Sequence, residues 1–423
     1  MAGRRRNGAA SVGAGSVTMG RSCGRRILLS RQCHIVDGAC QPVLTLSAMN
    51  HCFRIFALLV LLALVACEIP QPPAHEAAAT PPTLTLVPTA TPTPTATAIP
   101  PPTVTLTATA TLVPTATPTP EPRVTLVAVG DLMLARSLGR ALEVDPADTP
   151  FAAVRDLLRG ADITVGNLEC AIGTAGEPAP KAFTFRAPPA AASSLADAGF
   201  DVLSLANNHI LDYGVPALDE TLAHLDAVGI VYAGAGRDAA AARRPAVVEV
   251  GGLRLAFLSY VHVPVEQGGF VTESWAATDA TPGVAWASPE LVDEDVRTAL
   301  PGVDHVVVLL HSGYEGVEQP NEIQRAVART AVDAGASLVI GHHPHVLQRT
   351  ERYGTGLIVY SLGNFVFDGF RDAGAESAIL TLTFTRQGVS NPSWIPVVLV
   401  EGRPILVEGA QAEAILARLT VAL

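Results

Sequence analysis

Apolar runs of strand length alternate with helix-spaced segments in the part of the chain that begins at Val124. The runs at 124–129, 163–165 and 202–205 each precede a segment in which apolar residues recur every three or four positions, a spacing typical of helices. Because strands that alternate with helices usually form a parallel sheet with right-handed crossovers, we expect an inner sheet of this kind. The remaining predicted elements are strands at 305–310, 338–340, 357–360, 378–384 and 394–400, and helices at 151–159, 189–198, 216–227, 321–334 and 411–418.

The pattern changes after residue 232. Two apolar runs at 246–250 and 253–260 flank Gly251-Gly252, which predicts a tight hairpin and the start of a second sheet or an antiparallel extension. Residues 262–286 show no clear period and contain Gly268-Gly269. Long loops in compact domains often act as lids or binding loops, so we expect this segment to lie over the sheet.

The N-terminal segment has the features of an export signal. A 12-residue apolar run follows Arg54 and ends at Ala66; it is too short to span a bilayer but typical of a signal peptide. The sequence Leu64-Val-Ala-Cys67 resembles the lipobox of bacterial lipoproteins, which implies that residues 49–67 are a lipoprotein signal and that Cys67 is lipidated. An ordinary signal peptide with a chance cysteine is the alternative. Residues 1–48 are Arg-rich and aperiodic, and we interpret them as a disordered segment upstream of a true start at Met49.

A spacer separates this signal from the globular domain. Residues 68–122 consist mainly of Thr, Pro, Ala and Val and contain no Lys or Arg, a composition that cannot bury a core. We therefore predict a disordered linker that carries a domain at 123–423 away from a lipid surface. The predicted location is extracytoplasmic, anchored to the cell membrane by lipid.

Charge and cysteine content exclude some classes of protein. The formal net charge is −11, and eight arginines lie in the first 66 residues, so the remainder is still more acidic. This balance argues against nucleic acid as a partner, because nucleic-acid binders need basic patches. Of six cysteines, only Cys170 lies in the predicted domain, so no disulfide framework is available there. A lone thiol of this kind is usually a small buried hydrophobe.

Six short polar motifs stand at the ends of the predicted strands. They contain Asp, Glu, Asn and His, whose oxygen and imidazole donors bind divalent metal ions. Ligands of open α/β sheets bind outside the carboxyl ends of the strands, so the motifs predict a metal site at one edge. The motifs are Gly130-Asp131, Gly166-Asn-Leu-Glu169, Asn207-Asn-His209, His311-Ser-Gly-Tyr-Glu315, Gly341-His-His-Pro-His345 and Ser361-Leu-Gly-Asn364.

Several of these residues also have a structural interpretation. Asp131 fits a turn in which the carboxylate bonds its own backbone. Glu169 fits a solvated surface charge, although its apolar neighbours favour a cation or a hydrogen-bond donor beside it. His343 and His345 can converge on one ion because Pro344 lies between them and a glycine turn precedes them; a surface run of histidines is the alternative.

The residues Asn208 and His209 predict a division of roles. The Asn208 oxygen is a metal ligand, while His209 points to substrate as a proton donor, and Asp212 orients His209 by accepting its ring proton. A left-handed turn with a capping histidine is the structural alternative. His311 supplies a further imidazole at a strand end. The residues predicted to contact substrate are Asn167, Glu315, His342 and Asn364.

Taken in order, the motifs resemble those of the CapA/PgsA capsule-synthesis proteins, which are associated with poly-γ-glutamate production. The resemblance extends from about Val124 to Phe384. That family is similar to the calcineurin-like metallophosphoesterases, so the resemblance implies an α/β fold in which a double β-sandwich is flanked by helices, in four αββα layers. It also implies a general acid at His209 and metal ligands at Asp131, Glu169, Asn208, His311, His343 and His345.

The first two motifs depart from the metallophosphoesterase pattern. Those enzymes have Asp-x-His in the first motif, where this chain has Met133 at the histidine position, and the second motif here ends in Glu169. One of the two metal positions is therefore short of a ligand, which predicts one tightly held ion and at most a weak second one. Mixed nitrogen and oxygen donors leave Mn, Zn, Fe and Mg open as the ion.

Three functions fit these features. The first is a metal-dependent hydrolase, in which the ion activates water and His209 protonates the leaving group of a phosphoester or an amide. The second is a non-catalytic metal-binding component of an exopolymer synthesis and export complex, which holds an acidic polymer through a cation. The third is a lipid-anchored binding protein. The expected partners are membrane lipid, a capsule synthetase complex and an acidic polymer.

Overall fold

The structure is a computed structural model that describes residues 121–419 and two short N-terminal strands. The chain divides into two units after Thr109. In the first unit the described residues are Gln32–Val36 and Ala39–Val43, which pair as antiparallel strands. The predicted lipidation site, Cys67, and nearly all of the linker lie outside the described residues. The division of the chain ahead of the domain therefore stays a prediction.

Helices and strands alternate through most of residues 121–419. The helices are α1 Arg136–Val144, α2 Arg155–Arg159, α3 Ala190–Ala198, α4 Gly214–Val228, α5 Ala239–Arg243, α6 Pro289–Ala299, α7 Glu322–Ala334 and α8 Gly409–Leu419, with 3-10 turns at Thr272–Trp275, Leu300–Gly302 and Asp372–Ala375. The strands are β1 Val124–Leu132, β2 Ile163–Leu168, β3 Ala171–Ile172, β4 Arg186–Ala187, β5 Val202–Ser204, β6 Val231–Ala233, β7 Ala235–Gly236, β8 Ala246–Val250, β9 Leu253–His262, β10 Gly283–Val284, β11 His305–Ser312, β12 Leu338–His342, β13 Leu347–Tyr353, β14 Gly356–Leu362, β15 Asn364–Val366, β16 Glu376–Thr385, β17 Gly388–Val400 and β18 Arg403–Leu406. Among the described residues, no helix has the length and apolarity needed to cross a membrane.

Two large mixed sheets form the centre of the domain. The first has the order β18-β17-β16-β1-β2-β5-β6, with β15 also paired to β1. Its strands β1, β2, β5 and β6 are parallel, as the strand–helix alternation predicted. The second has the order β8-β9-β11-β12-β14-β13, with a parallel centre and an antiparallel strand at each edge.

The two sheets pack face to face between two layers of helices. Alternate residues of β1 show this arrangement: Leu126 and Ala128 join a core shared with the second sheet, while Val127 and Val129 face the helices. Helices α1 to α4 cover the outer face of the first sheet, and α6 and α7 cover that of the second. In a four-layer sandwich, alternate residues of a central strand are buried on opposite faces, one set against the other sheet and one set against the helices. The predicted double β-sandwich with flanking helices is thus confirmed.

Local signals account for several boundaries. The hairpin predicted at Gly251-Gly252 joins β8 to β9 and opens the second sheet. Asn321 caps α7 through a reciprocal pair of 2.9 Å hydrogen bonds with Gln324. The helix predicted from residue 151 begins only at Arg155. Helix α6 was not predicted, although Ser288 at its N-cap followed by proline is a standard start signal.

Candidate metal centre

The carboxyl ends of the parallel strands bring the six motifs to one edge of the sandwich. Asp131, near the end of β1, is in register with Asn167 of β2 and with Asn364 of β15. His311 of β11 is in register with His342 of β12. Neighbouring parallel strands present their ends at the same height, so residues far apart in sequence meet there.

The backbone around these motifs is unusually close-packed and strained. A side chain at Gly130 would collide with the carbonyl oxygen of Gly363, and one at Gly341 would collide with a carbonyl of β14. His343 and His345 have φ angles of 94° and 56°, in the left-handed region that non-glycine residues rarely adopt. Each such residue costs about 1–3 kcal/mol, and strain of this kind concentrates at functional sites.

Four side chains form the first donor set: Glu169, Asn208, His311 and His343. Nε2 of His311 lies 2.7 Å from Oδ1 of Asn208 and 3.1 Å from Nδ1 of His343. The same nitrogen is 3.7 Å from Oε1 of Glu169. Burial lowers the pKa of His311 well below its ordinary value and the pKa of His343 to about 3. Both imidazoles are therefore neutral at physiological pH, which is the form of histidine that binds metal ions.

The second donor set shares Glu169 and adds Asp131 and His345. Oδ2 of Asp131 is 3.3 Å from Nδ1 of His345, whose Nε2 is 3.6 Å from Oε1 of Glu169. Burial disfavours charge on this pair, but their mutual contact raises the pKa of His345 and lowers that of Asp131. Oδ1 of Asn364 lies 2.9 Å from Nδ1 of His345 and helps to fix the ring. This set has three donors where the first has four.

Glu169 is the residue whose surroundings most strongly indicate a cation. Its side chain is fully buried, and within the described residues neither carboxylate oxygen has a hydrogen-bond partner. Burial, reinforced by the charge of Asp131, raises the pKa of this carboxyl well above its ordinary value. An unpaired carboxylate in a dry site is costly unless a cation neutralises it. The two donor sets that converge on Glu169 fit a divalent metal ion.

A histidine and an aspartate form a hydrogen-bonded pair beside the donor sets. Nδ1 of His209 lies 2.7 Å from Oδ2 of Asp212, which also accepts a 2.6 Å hydrogen bond from the backbone N–H of Phe185. The ring of Phe185 packs on His209 with 4.3 Å between centroids. Nε2 of His209 faces the centre, 3.9 Å from Oε1 of Glu169. Burial lowers the pKa of His209, although Asp212 opposes that shift.

The four residues predicted to contact substrate differ in their surroundings. Asn167 is buried and donates a 2.9 Å hydrogen bond to Oδ1 of Asp131. His342 is buried, with Nε2 3.3 Å from the carbonyl oxygen of Val129. Asn364 is buried against His345, as described above. Glu315 is exposed, and a carboxylate oxygen lies close to the nitrogens of His343 and His345. Their contact with substrate stays a prediction.

Lys181 is a residue of the centre that the sequence reasoning missed. Its side chain is fully buried, and Nζ is 2.6 Å from the backbone oxygen of Asn208 and 2.8 Å from Oδ1 of Asp212. Nζ also donates a 2.6 Å hydrogen bond to Oε1 of Glu266. A signal was present, because Lys181 is the only lysine in the 423 residues.

Comparison with known proteins places the chain in a family. The model of the family described as "Bacterial capsule synthesis protein PGA_cap" matches residues 125–369, which include all six motifs. The chain belongs to this family. The chain is also 33% identical over 279 residues to the PGA biosynthesis protein CapA of Bacillus subtilis, covering 65% of this chain and 72% of that protein. Over 284 residues it is 32% identical to the capsule biosynthesis protein CapA of Bacillus anthracis, covering 65% of this chain and 67% of that protein.

Solved structures with a similar fold include a novel phosphatase from Mycoplasma pneumoniae. The likeness has a TM-score of 0.43 at 13% identity and covers 66% of this chain and 94% of that one. A hypothetical protein from Thermus thermophilus gives a TM-score of 0.41 at 18% identity, covering 64% and 98% of the two chains. Likeness at this level concerns the fold and says nothing about activity.

Proposed function

We propose that this protein acts at the cell surface in poly-γ-glutamate capsule synthesis and that its buried centre is a metal-dependent hydrolase site. Membership of the capsule synthesis family supports the first half of this proposal. The second half rests mainly on one observation: the two carboxylate oxygens of Glu169, which have no hydrogen-bond partner in the part of the chain that the structure describes, lie among converging metal donors, with His209 beside them. The substrate class we favour is a phosphoester or a γ-glutamyl amide.

The donor sets assign roles to individual residues in this proposal. The residues that would hold an ion in the first position are Glu169, Asn208, His311 and His343. A divalent ion in such a set supplies Lewis acidity toward a carbonyl or phosphoryl oxygen. Mn, Zn, Fe and Mg all remain compatible with mixed nitrogen and oxygen donors. The buried amides of Asn167 and Asn364 orient ligands through hydrogen bonds and are, in this proposal, supporting residues.

His209 is the proton donor in this proposal. Asp212 holds Nδ1, so the ring presents Nε2 to the centre in a fixed orientation. Donation requires the doubly protonated ring, which Asp212 favours against the effect of burial on the pKa; in that form the proton on Nε2 would pass to the leaving group as its bond to the reacting centre breaks, leaving the neutral ring with its proton on Nδ1. The ring of Phe185 packs on the His209 ring, with 4.3 Å between the centroids. Glu315, which is exposed beside His343 and His345, is positioned to contact substrate.

We expect the purified protein to retain about one tightly bound divalent ion per chain, because the first donor set offers four ligands and the second only three. Replacing His343 with alanine should remove most of this ion, since each ligand lost weakens the chelate. His224→Ala on the outer helix α4 is the matched control and should leave the metal content unchanged. Elemental analysis measures both. Two equally tight ions, or full metal content in His343→Ala, would contradict this prediction.

The alternative function is a non-catalytic metal-binding component of an exopolymer synthesis and export complex, which binds an acidic polymer through the cation. Met133 favours it, because this fully buried thioether stands where the resemblance to the metallophosphoesterases implies a first-motif histidine. The discriminating experiment measures hydrolysis of phosphoester and γ-glutamyl substrates alongside polymer output in cells. Output that depends on the ligands without any hydrolysis would replace the enzyme proposal with this one.

Lipid anchoring through Cys67 is part of the proposal and leads to a second prediction. The short apolar run that ends in Leu64-Val-Ala-Cys67 motivates it. Cys67→Ser should release the protein from membranes or block removal of the signal segment. Cys52→Ser, upstream of the apolar run, is the control and should change neither. Fractionation and intact-mass measurement test this, and unchanged processing and membrane association in Cys67→Ser would count against lipidation.

A further inference from the structure

The only lysine of the chain has a fully buried side chain beside the metal centre. The other 27 basic residues are arginines, yet this position carries an ammonium group whose side chain has 0% exposure. Three oxygens surround Nζ at 2.6, 2.6 and 2.8 Å: the carbonyl of Asn208, Oε1 of Glu266 and Oδ1 of Asp212. Nζ donates hydrogen bonds to the first two oxygens and forms an ion pair with the third, an arrangement that suits a compact ammonium, whereas the planar fork of arginine requires a different arrangement of acceptors.

These three oxygens come from two parts of the fold. Asn208 and Asp212 flank His209, whose Nδ1 is itself 3.5 Å from Nζ of Lys181. Glu266 belongs to a different segment, residues 263–276, which we call the cover segment. Lys181 is thus the direct link between the His209–Asp212 pair and the cover segment.

The cover segment is built around this ammonium group. The backbone N–H of Glu266 donates to the carbonyl of Phe270 at 3.0 Å, and the hydroxyl of Thr272 donates to Oε1 of Glu266 at 3.1 Å. Nζ of Lys181 lies 5.0 Å from the ring centroid of Trp275 and 5.6 Å from that of Phe270. Cation–π contacts of this kind strengthen when the cation is shielded from water.

We propose that Lys181 is a positioning residue that fastens the cover segment to the His209–Asp212 pair. With the segment fastened, Asp212 is held between an ammonium and a backbone N–H, and it keeps His209 in one orientation. When the Glu266 contact is lost, the segment opens and that orientation is released. Lys181 is not a nucleophile here, because its ammonium group is paired with the carboxylates of Asp212 and Glu266 and its side chain is shielded. The inference rests on the proposed function only in treating His209 as a proton donor.

The single lysine allows a test that needs no activity. An endoproteinase specific for lysine has one cleavage site in the full-length chain, after Lys181, provided that any tag lacks lysine. With Mn²⁺ present, we expect Glu266→Gln to be cleaved about 10- to 100-fold faster than wild type, because a buried charge-assisted hydrogen bond is weakened and cleavage follows the open population. Glu273→Gln, an exposed position on the same segment, is the matched control and should be cleaved at the wild-type rate.

The outcomes of this digestion are distinct. Faster cleavage in Glu266→Gln alone supports the fastening. Equal cleavage in wild type and Glu266→Gln, or equal acceleration in Glu273→Gln, overturns it. Each result holds whether or not the protein hydrolyses anything, so failure of this inference is separable from failure of the proposed function.

Turnover of a chromogenic phosphodiester tests the effect on His209. Lys181→Met should lower kcat by about 100-fold with KM and bound metal nearly unchanged, since a misplacement of about 1 Å has a cost of this size. Lys181→Arg should not restore it. Adding Lys181→Met to His209→Asn should cause no further loss, because residues that act as one unit are not additive. Independent, multiplicative losses would assign Lys181 a merely structural role and overturn the positioning proposal.

Discussion

Replacing His209 with asparagine is expected to reduce turnover of a chromogenic phosphodiester by about 100- to 10,000-fold, the range that a positioned proton donor contributes. The ring is held at Nδ1 by Asp212 and offers Nε2 to the centre. Asparagine keeps a polar group of similar reach but cannot transfer a proton. Bound metal should change little, since His209 lies outside the two donor sets. Parallel measurement of turnover and metal content checks the prediction.

Asn208→Ala is the informative comparison, because it alters the neighbouring residue. Its Oδ1 lies 2.7 Å from Nε2 of His311 in the first donor set, so we expect metal affinity and turnover to fall together. The two variants thus separate proton donation from metal binding. Equal loss of metal in both variants, or full turnover in His209→Asn, would contradict the assignment of His209.

The layers of the fold could be predicted from sequence because burial on both strand faces leaves a clear pattern. The run 126–129 is apolar throughout since Leu126 faces the second sheet and Val127 faces the helices. Elements with weaker patterns were missed. Strand β13, Leu347–Tyr353, lies at a sheet edge and carries charged residues on its outer positions, so its apolar period is incomplete. Helix α1, Arg136–Val144, has no side-chain cap to mark its start.

The convergence of the motifs was predictable for a topological reason, whereas the contacts between loops were not. Parallel strands of one sheet place their carboxyl ends at one edge, so Asp131 could be grouped with Asn167, and His311 with His342, without knowing any distance. The link between Lys181 and Glu266 joins two loops 85 positions apart. No strand period or turn signal encodes such a pairing. Only the rarity of lysine in this chain pointed to it.

Replacing Glu169 with glutamine is expected to abolish tight metal binding while making the metal-free protein more stable at neutral pH. Both effects follow from one cause. Glu169 is shared by the two donor sets, so its loss removes a ligand from each. Without an ion, its buried carboxylate lacks hydrogen-bond partners within the described residues, and a neutral amide of the same shape avoids the cost of burying that charge. Elemental analysis and calorimetry with chelator measure the two effects, and Glu413→Gln, exposed on α8, is the control.

The stability difference between Glu169→Gln and wild type is expected to depend on pH in a definite direction. Burial raises the pKa of Glu169 well above the ordinary carboxyl value of 4.5, so between those two pKa values the folded state holds a proton that the unfolded state has released. Stability attributable to this group therefore falls as pH rises through that window. The gain in melting temperature of Glu169→Gln over wild type should accordingly be small near pH 4.5 and grow toward higher pH, and added metal should reverse it by stabilising only wild type. A gain that is absent at neutral pH, or that shrinks as pH rises, would show that Glu169 is neutralised by some partner other than a bound cation.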